Sequence, residues 1–127
     1  MLIKNCLILG KEEKDILVKQ GKIIKIGNDI KIDDKETINA KNLTAIPGSI
    51  DPHVHFRDLE QSHKEDFFTG SCAAVAGGVT TVLDMPNNSP PILSCELLEK
   101  KRAIASKAIV NYGFYFGTDG NNIPEIK

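Results

Sequence analysis

The stretch Pro47-Gly48-Ser49-Ile50-Asp51-Pro52-His53-Val54-His55-Phe56-Arg57-Asp58 decides how the rest of the chain is to be read. Pro47-Gly48 is a turn signal, and the segment after it ends in a histidine, one spacer and a second histidine. Side chains of a strand alternate with period 2. His53 and His55 therefore share one face, Val54 turns to the other, and Arg57 continues the histidine face. Two neutral nitrogen ligands with a fixed cation behind them suit a metal site that handles an anionic substrate. The structural alternative is a hydrogen-bonded histidine pair near a strand end. Asp51, adjacent and able to orient a ligand, and Arg57, placed to grip a carboxylate with its planar fork, favour the metal site.

Upstream of this stretch, residues 1–47 are short Ile-, Val- and Leu-rich runs broken by turns. Leu2 to Leu9 reads as a strand and Gly10 to Glu13 as a turn. Ile16 to Lys19 pairs with Lys22 to Ile26 across Gln20-Gly21, a two-residue hairpin. Thr37 to Ala40 and Leu43 to Ile46 are further, weaker strands, and together these segments predict a small antiparallel β layer.

Downstream, over residues 48–127, strands alternate with helices. Ser49 to His55 is the first strand. Ser62-His63-Lys64-Glu65 fits the S-x-x-E capping box and predicts a helix through Phe67, Phe68, Cys72, Ala73 and Val75, ending at Gly77-Gly78. Val79 to Met85 is a β-branched apolar run, hence a second buried strand. Ser94 starts a second helix, with Glu96 and Glu99 early and Lys100, Lys101 and Arg102 late, the order the helix dipole favours. Ile109 to Phe116 reads as a third strand. The βαβαβ pattern implies parallel strands, and in such folds function gathers at the strands' carboxyl ends. His53, His55 and Arg57 fall at the end of the first strand, and Asn87 and Asn88 after the second.

The bulk numbers are those of a folded globular protein: 127 residues, 41% apolar, 26% charged and a net charge of −1. They exclude a basic field for nucleic acid or an anionic membrane. The opening Met1 to Leu9 is too short and too interrupted for a membrane span or signal peptide. Cys6, Cys72 and Cys95 form no CxxC and leave one over, which points to a reducing cytoplasm. Cys72 and Cys95 fall in predicted helices and are expected to be buried small hydrophobes rather than ligands.

Taken alone, Asn87 is a turn former after Pro86, His63 is a solvated loop residue, and Lys64, Glu65 and Asp66 are helix-start residues. A catalytic zinc site needs at least three protein ligands. The chain has three histidines, His63 is ill placed to be the third ligand, and no second motif supplies one.

Ile46 to Asp58, then His63-Lys64-Glu65-Asp66-Phe67, then Gly77 to Val82 and Asp84-Met85-Pro86-Asn87 together resemble dihydroorotase, a cyclic amidohydrolase of pyrimidine biosynthesis, in register along the chain. The resemblance implies an α/β fold: the amino-terminal part of a metal-dependent (β/α)8 TIM barrel, preceded by a small antiparallel β-sandwich domain over 1–47. It implies reversible hydrolysis of L-dihydroorotate to N-carbamoyl-L-aspartate, with one or two Zn2+ ions as cofactor. His53 and His55 would bind the more buried zinc, Arg57 and Asn87 would hold the substrate carboxylate, and Asp51 would support the site from behind. A metal-bound hydroxide would attack the ring carbonyl.

The general acid and base and the remaining ligands would come from strands after residue 127, so no catalytic residue is assigned within the chain, which alone is expected to be inactive. A full barrel takes roughly 250 residues. Arg57 separates the reading from allantoinases and hydantoinases, whose substrates lack that carboxylate. The alternatives are another cyclic amidohydrolase, a non-catalytic dihydroorotase-like assembly protein, and a split enzyme completed by a complementing chain. A homo-oligomer is allowed; nucleic acid and membrane are not expected partners. Leu59-Glu60 stands where the family commonly has Pro-Gly, and Asn88 where it has threonine; both are loop positions at which altered geometry without altered chemistry is expected.

Overall fold

The computed structural model describes residues 1–32 and 36–126, and the chain divides into two compact units, Met1–Pro47 and Gly48–Lys127. In the first unit, β1 (Leu2–Ile8), β2 (Glu12–Lys19) and β3 (Lys22–Gly27) form an antiparallel meander. Lys19 pairs with Lys22 across Gln20 and Gly21, whose φ angles of 49° and 70° are those of a type I′ turn. Between Ile3 and Cys6 the β1–β2 register shifts. There Asn5 takes φ 61° and its N–H is received by the buried carboxylate of Asp15 at 3.0 Å. Leu2, Leu17 and Ile30 form one small core, and Cys6, Ile16 and Ala40 another.

β4 (Thr37–Asn39) and β5 (Thr44–Ala45) depart from the sequence expectation. Both run parallel to β1, so the described strands make one mixed five-stranded sheet rather than an antiparallel sandwich. β2 already occupies one edge of β1, and no two-residue turn fixes the direction of these short strands, so they take the other edge as the chain delivers them.

The second unit carries the parallel sheet, in the order β6 (Ser49–Val54), β7 (Val79–Asp84), β8 (Asn111–Phe114), crossed over by α1 (Phe67–Ala76) and α2 (Cys95–Ala105). A short 3-10 turn, Ile123–Ile126, follows. The core is aromatic and aliphatic: Phe56, Phe67, Val82, Ala105 and Val110. Phe67 is fully buried, edge-on to Phe56 at 5.5 Å and to Phe114 at 6.1 Å. Gly70 lets α1 close onto this cluster, since a Cβ there would lie 2.7 Å from the Phe56 ring.

α1 begins one turn later than the Ser62 capping box predicts. Asp66 is the N-cap: its carboxylate accepts the Thr69 N–H at 2.8 Å, and the Thr69 hydroxyl answers the Asp66 N–H at 3.2 Å. The reason is tertiary. The Phe67 N–H is taken by the buried carboxylate of Asp58 at 3.0 Å, which fixes where the helix can start. Gly77 and Gly78 end it as expected, Gly78 at φ 81°. Ser94 caps α2 through the Leu97 N–H. The cysteines are arranged against expectation: Cys6 in β1 is the buried one, Cys72 is partly buried and Cys95, at the first position of α2, is exposed.

Candidate functional site

Parallel pairing of β6 with β7 sets Val54 beside Asp84, so the residues just past both strand ends emerge together. The Met85 N–H continues the ladder to the Val54 carbonyl at 2.9 Å. From this frame His53 and His55 converge, with ring centroids 5.0 Å apart and their Nε2 atoms 3.2 Å apart. Asn87 joins them from the β7 side, its Oδ1 lying 2.8 Å from His55 Nδ1. An amide oxygen can only accept, so Nδ1 carries the proton and, in the neutral ring, Nε2 is the bare nitrogen. Asp51 braces the pair through the backbone: its Oδ1 accepts the His53 N–H at 3.1 Å, and it does not reach a ring nitrogen. Arg57 is half-buried, and among the described residues no hydrogen bond or ion pair engages it. His63 lies exposed in the turns before α1 and is not brought to the histidine pair.

These donors fit a zinc ion on one test. Two imidazole nitrogens on a tetrahedral zinc, each at about 2.0–2.1 Å, stand roughly 3.3 Å apart, and the 3.2 Å spacing here is close to that. Two ligands do not complete such a site. Among the described residues no group of three or more His, Cys, Asp or Glu side chains is poised around one point.

Behind the histidines lies a buried polar network that the sequence did not announce. Lys101 of α2 is fully buried, and its ammonium meets the carboxylate of Asp84 at 2.6 Å, the Met85 carbonyl at 2.8 Å and Asn88 Oδ1 at 2.8 Å. It also stands over the Phe114 ring, 5.2 Å from the centroid. Asp84 passes the network on by accepting the Phe56 N–H at 2.7 Å, and Asn88 donates to the Phe56 carbonyl at 3.0 Å. Burial raises the Asp84 pKa and lowers that of Lys101, and their ion pair opposes both shifts.

Position 88 is a loop residue, as the sequence reading has it, and it is also a buried junction between Lys101 and the Phe56 carbonyl. Leu59, the other departure noted, takes φ 66° and bridges to Ser89, while Glu60 accepts the Ser89 hydroxyl at 2.8 Å. The two loops that carry the site are therefore tied to each other. One signal could have exposed Lys101: it falls on the stripe Leu97, Leu98, Ile104, Ala105, the inward face of α2.

Comparison with known proteins places the chain in a family. Residues 44–125 match the amidohydrolase family. A dihydroorotase of Methanosarcina mazei is 43% identical over 109 residues, 84% of this chain and 24% of that protein. One from Streptococcus pneumoniae is 45% identical over 116 residues, 87% of this chain and 28% of that protein. The chain thus spans about a quarter of the length of these curated relatives. Among solved structures, an L-hydantoinase (dihydropyrimidinase) from Arthrobacter aurescens superimposes with a TM-score of 0.85 at 32% identity, over 98% of this chain and 29% of that one.

Proposed function

Since the chain belongs to the amidohydrolase family, we propose that it is the amino-terminal part of a zinc-dependent dihydroorotase, acting on L-dihydroorotate and N-carbamoyl-L-aspartate in the cytoplasm. In this reading β6, β7 and β8 are the first three strands of a (β/α)8 barrel, and the remaining ligands and the general acid and base lie outside these residues. The observation that carries the substrate assignment is Arg57: a half-buried cation, two residues beyond His55, with no partner among the described residues. A guanidinium left unpaired near the histidines is available to pair with a carboxylate, which dihydroorotate has and a neutral cyclic imide lacks.

His53 and His55 would hold the metal, consistent with their 3.2 Å spacing. When bound, zinc polarises a carbonyl and makes a water acidic enough to serve as nucleophile near neutral pH. Asn87 would serve two neighbours at once: its Oδ1 keeps His55 in the tautomer with a bare Nε2, and its exposed Nδ2 donates to the substrate carboxylate. Asp51 keeps the His53 backbone in place.

A second reading, a hydantoinase-type cyclic amidohydrolase, is favoured by the likeness to the Arthrobacter L-hydantoinase. One experiment separates them. In the metal-loaded complete enzyme, Arg57→Ala should weaken use of dihydroorotate by about 2 kcal/mol or more, the value of a lost charge-assisted hydrogen bond, and leave hydrolysis of a neutral hydantoin nearly unchanged. Equal losses on both substrates would remove the dihydroorotase assignment, and preferred turnover of the neutral ring would establish the second reading.

A further inference from the structure

An ammonium has three N–H donors, and Lys101 has three oxygen acceptors around it: Asp84, the Met85 carbonyl and Asn88. The group is fully buried, so it meets neither solvent nor substrate. Its partners are not scattered. Met85 and Asn88 bracket the turn that presents Asn87, so one cation grips this turn on both sides. Asp84 and Asn88 then take the N–H and the C=O of Phe56, the residue between His55 and Arg57.

We propose that Lys101 is a positioning residue of the site: from α2 it locks the Asn87 turn and the Phe56 peptide together, and so holds His55 against Asn87 with Nε2 free and Arg57 at a fixed offset. The role rests on the reading of this site as the place where His55 binds metal and Arg57 binds substrate. A salt bridge kept only for stability would be indifferent to which backbone groups it reached. This one directs its contacts to the single segment 84–88 that presents Asn87, and two of those partners, Asp84 and Asn88, carry the hold on to the Phe56 N–H and carbonyl.

The test is nitrogen NMR of the histidine rings on the 127-residue chain, with His63 as internal control. The wild-type chain should show His55 in a single tautomer, Nδ1 protonated and Nε2 bare. Its Phe56 amide should exchange with solvent at least about 100-fold more slowly than the amides of the neighbouring turns, as expected for a group released only by opening of the core. Lys101→Met should convert His55 to a mixture of tautomers with His63 unchanged. That variant leaves Asp84 buried without its partner, so Asn88→Leu is measured beside it; it keeps the ion pair and the Asp84 hold on the Phe56 N–H, removes the link from Lys101 to the Phe56 carbonyl, and should also cost His55 much of its tautomer preference.

A folded Asn88→Leu chain with an unaltered His55 ring would overturn the proposal. A wild-type Phe56 amide exchanging as fast as the turn amides would overturn it without any variant. The metal reading is tested apart from this, on the complete enzyme: His55→Ala should lower its zinc content. If zinc content is unchanged while Lys101→Met and Asn88→Leu still shift the His55 ring, the metal reading fails and the positioning role stands.

Discussion

Oδ1 of Asn87 lies 2.8 Å from Nδ1 of His55, a bond between residues 32 positions apart that meet because β6 and β7 run parallel and end level. It fixes which imidazole nitrogen faces His53. Removing it by Asn87→Ala should lower zinc affinity by roughly 10- to 100-fold, the usual effect of losing the partner behind a metal-ligating histidine. Competition against a chelator would measure this in the complete enzyme. Unchanged affinity would mean that the ring is held by packing alone.

The Lys101–Asp84 pair should show strong non-additivity in stability. Lys101→Met strands a carboxylate in a fully buried place and should destabilise the chain by about 3–5 kcal/mol. Lys101→Met combined with Asp84→Asn leaves no uncompensated charge and should be less destabilising than the single change. A double-mutant cycle by urea unfolding would read the coupling directly. Simple additivity would show that the two charges do not depend on each other.

At the start of α1 the prediction concerns pH. The Thr69 N–H, and after it Lys107, hold the Asp66 carboxyl at about 2, below its ordinary 3.8. The folded value is the lower one, so its stabilising contribution is full above 3.8 and is lost as pH falls toward about 2. Lys107 acts at the other end. Its pKa is raised from 10.5, first by Asp58, so its contribution is full below 10.5 and fades above the raised value. Asp66→Asn keeps a capping oxygen and removes only the charge. The melting-temperature gap between this variant and the wild type should stay constant from about pH 5 to pH 9 and close below pH 3.8. A gap unaffected by acid would show that the cap is not ionic.

Gly70→Ala sets two effects against each other. Alanine gains up to about 1 kcal/mol of helix propensity over glycine. Its Cβ, however, would sit 2.7, 2.8 and 3.0 Å from three atoms of the Phe56 ring. That ring is buried and wedged against Phe67, so overpacking of about 1–3 kcal/mol should win. The expected net result is a lower urea midpoint, and a higher one would mean that the Phe56 ring can move aside.

What was legible in the sequence was local. The Gln20-Gly21 hairpin, the Gly77-Gly78 stop and the Ser94 cap each follow from a few adjacent residues whose backbone preferences agree. The convergence of His53 and His55 follows in the same way from strand alternation. What failed was non-local. The parallel seating of β4 and β5 on β1 depends on which edge was left open. The true cap at Asp66 depends on Asp58 capturing the Phe67 N–H. Lys101 stood between Lys100 and Arg102 and read as one of three dipole-friendly charges, because nothing local shows that Asp84 waits for it from another element.

The Phe56 peptide is grasped by its N–H and C=O, never by its neighbours' side chains. The support beneath positions 55 and 57 is therefore made through backbone groups that any residue there would leave in place. Substituents there can be exchanged while the platform holding them stays intact, so the scaffold and its chemistry can be altered separately. A workshop seeking a new specificity would begin at 57 and leave 84, 88 and 101 alone.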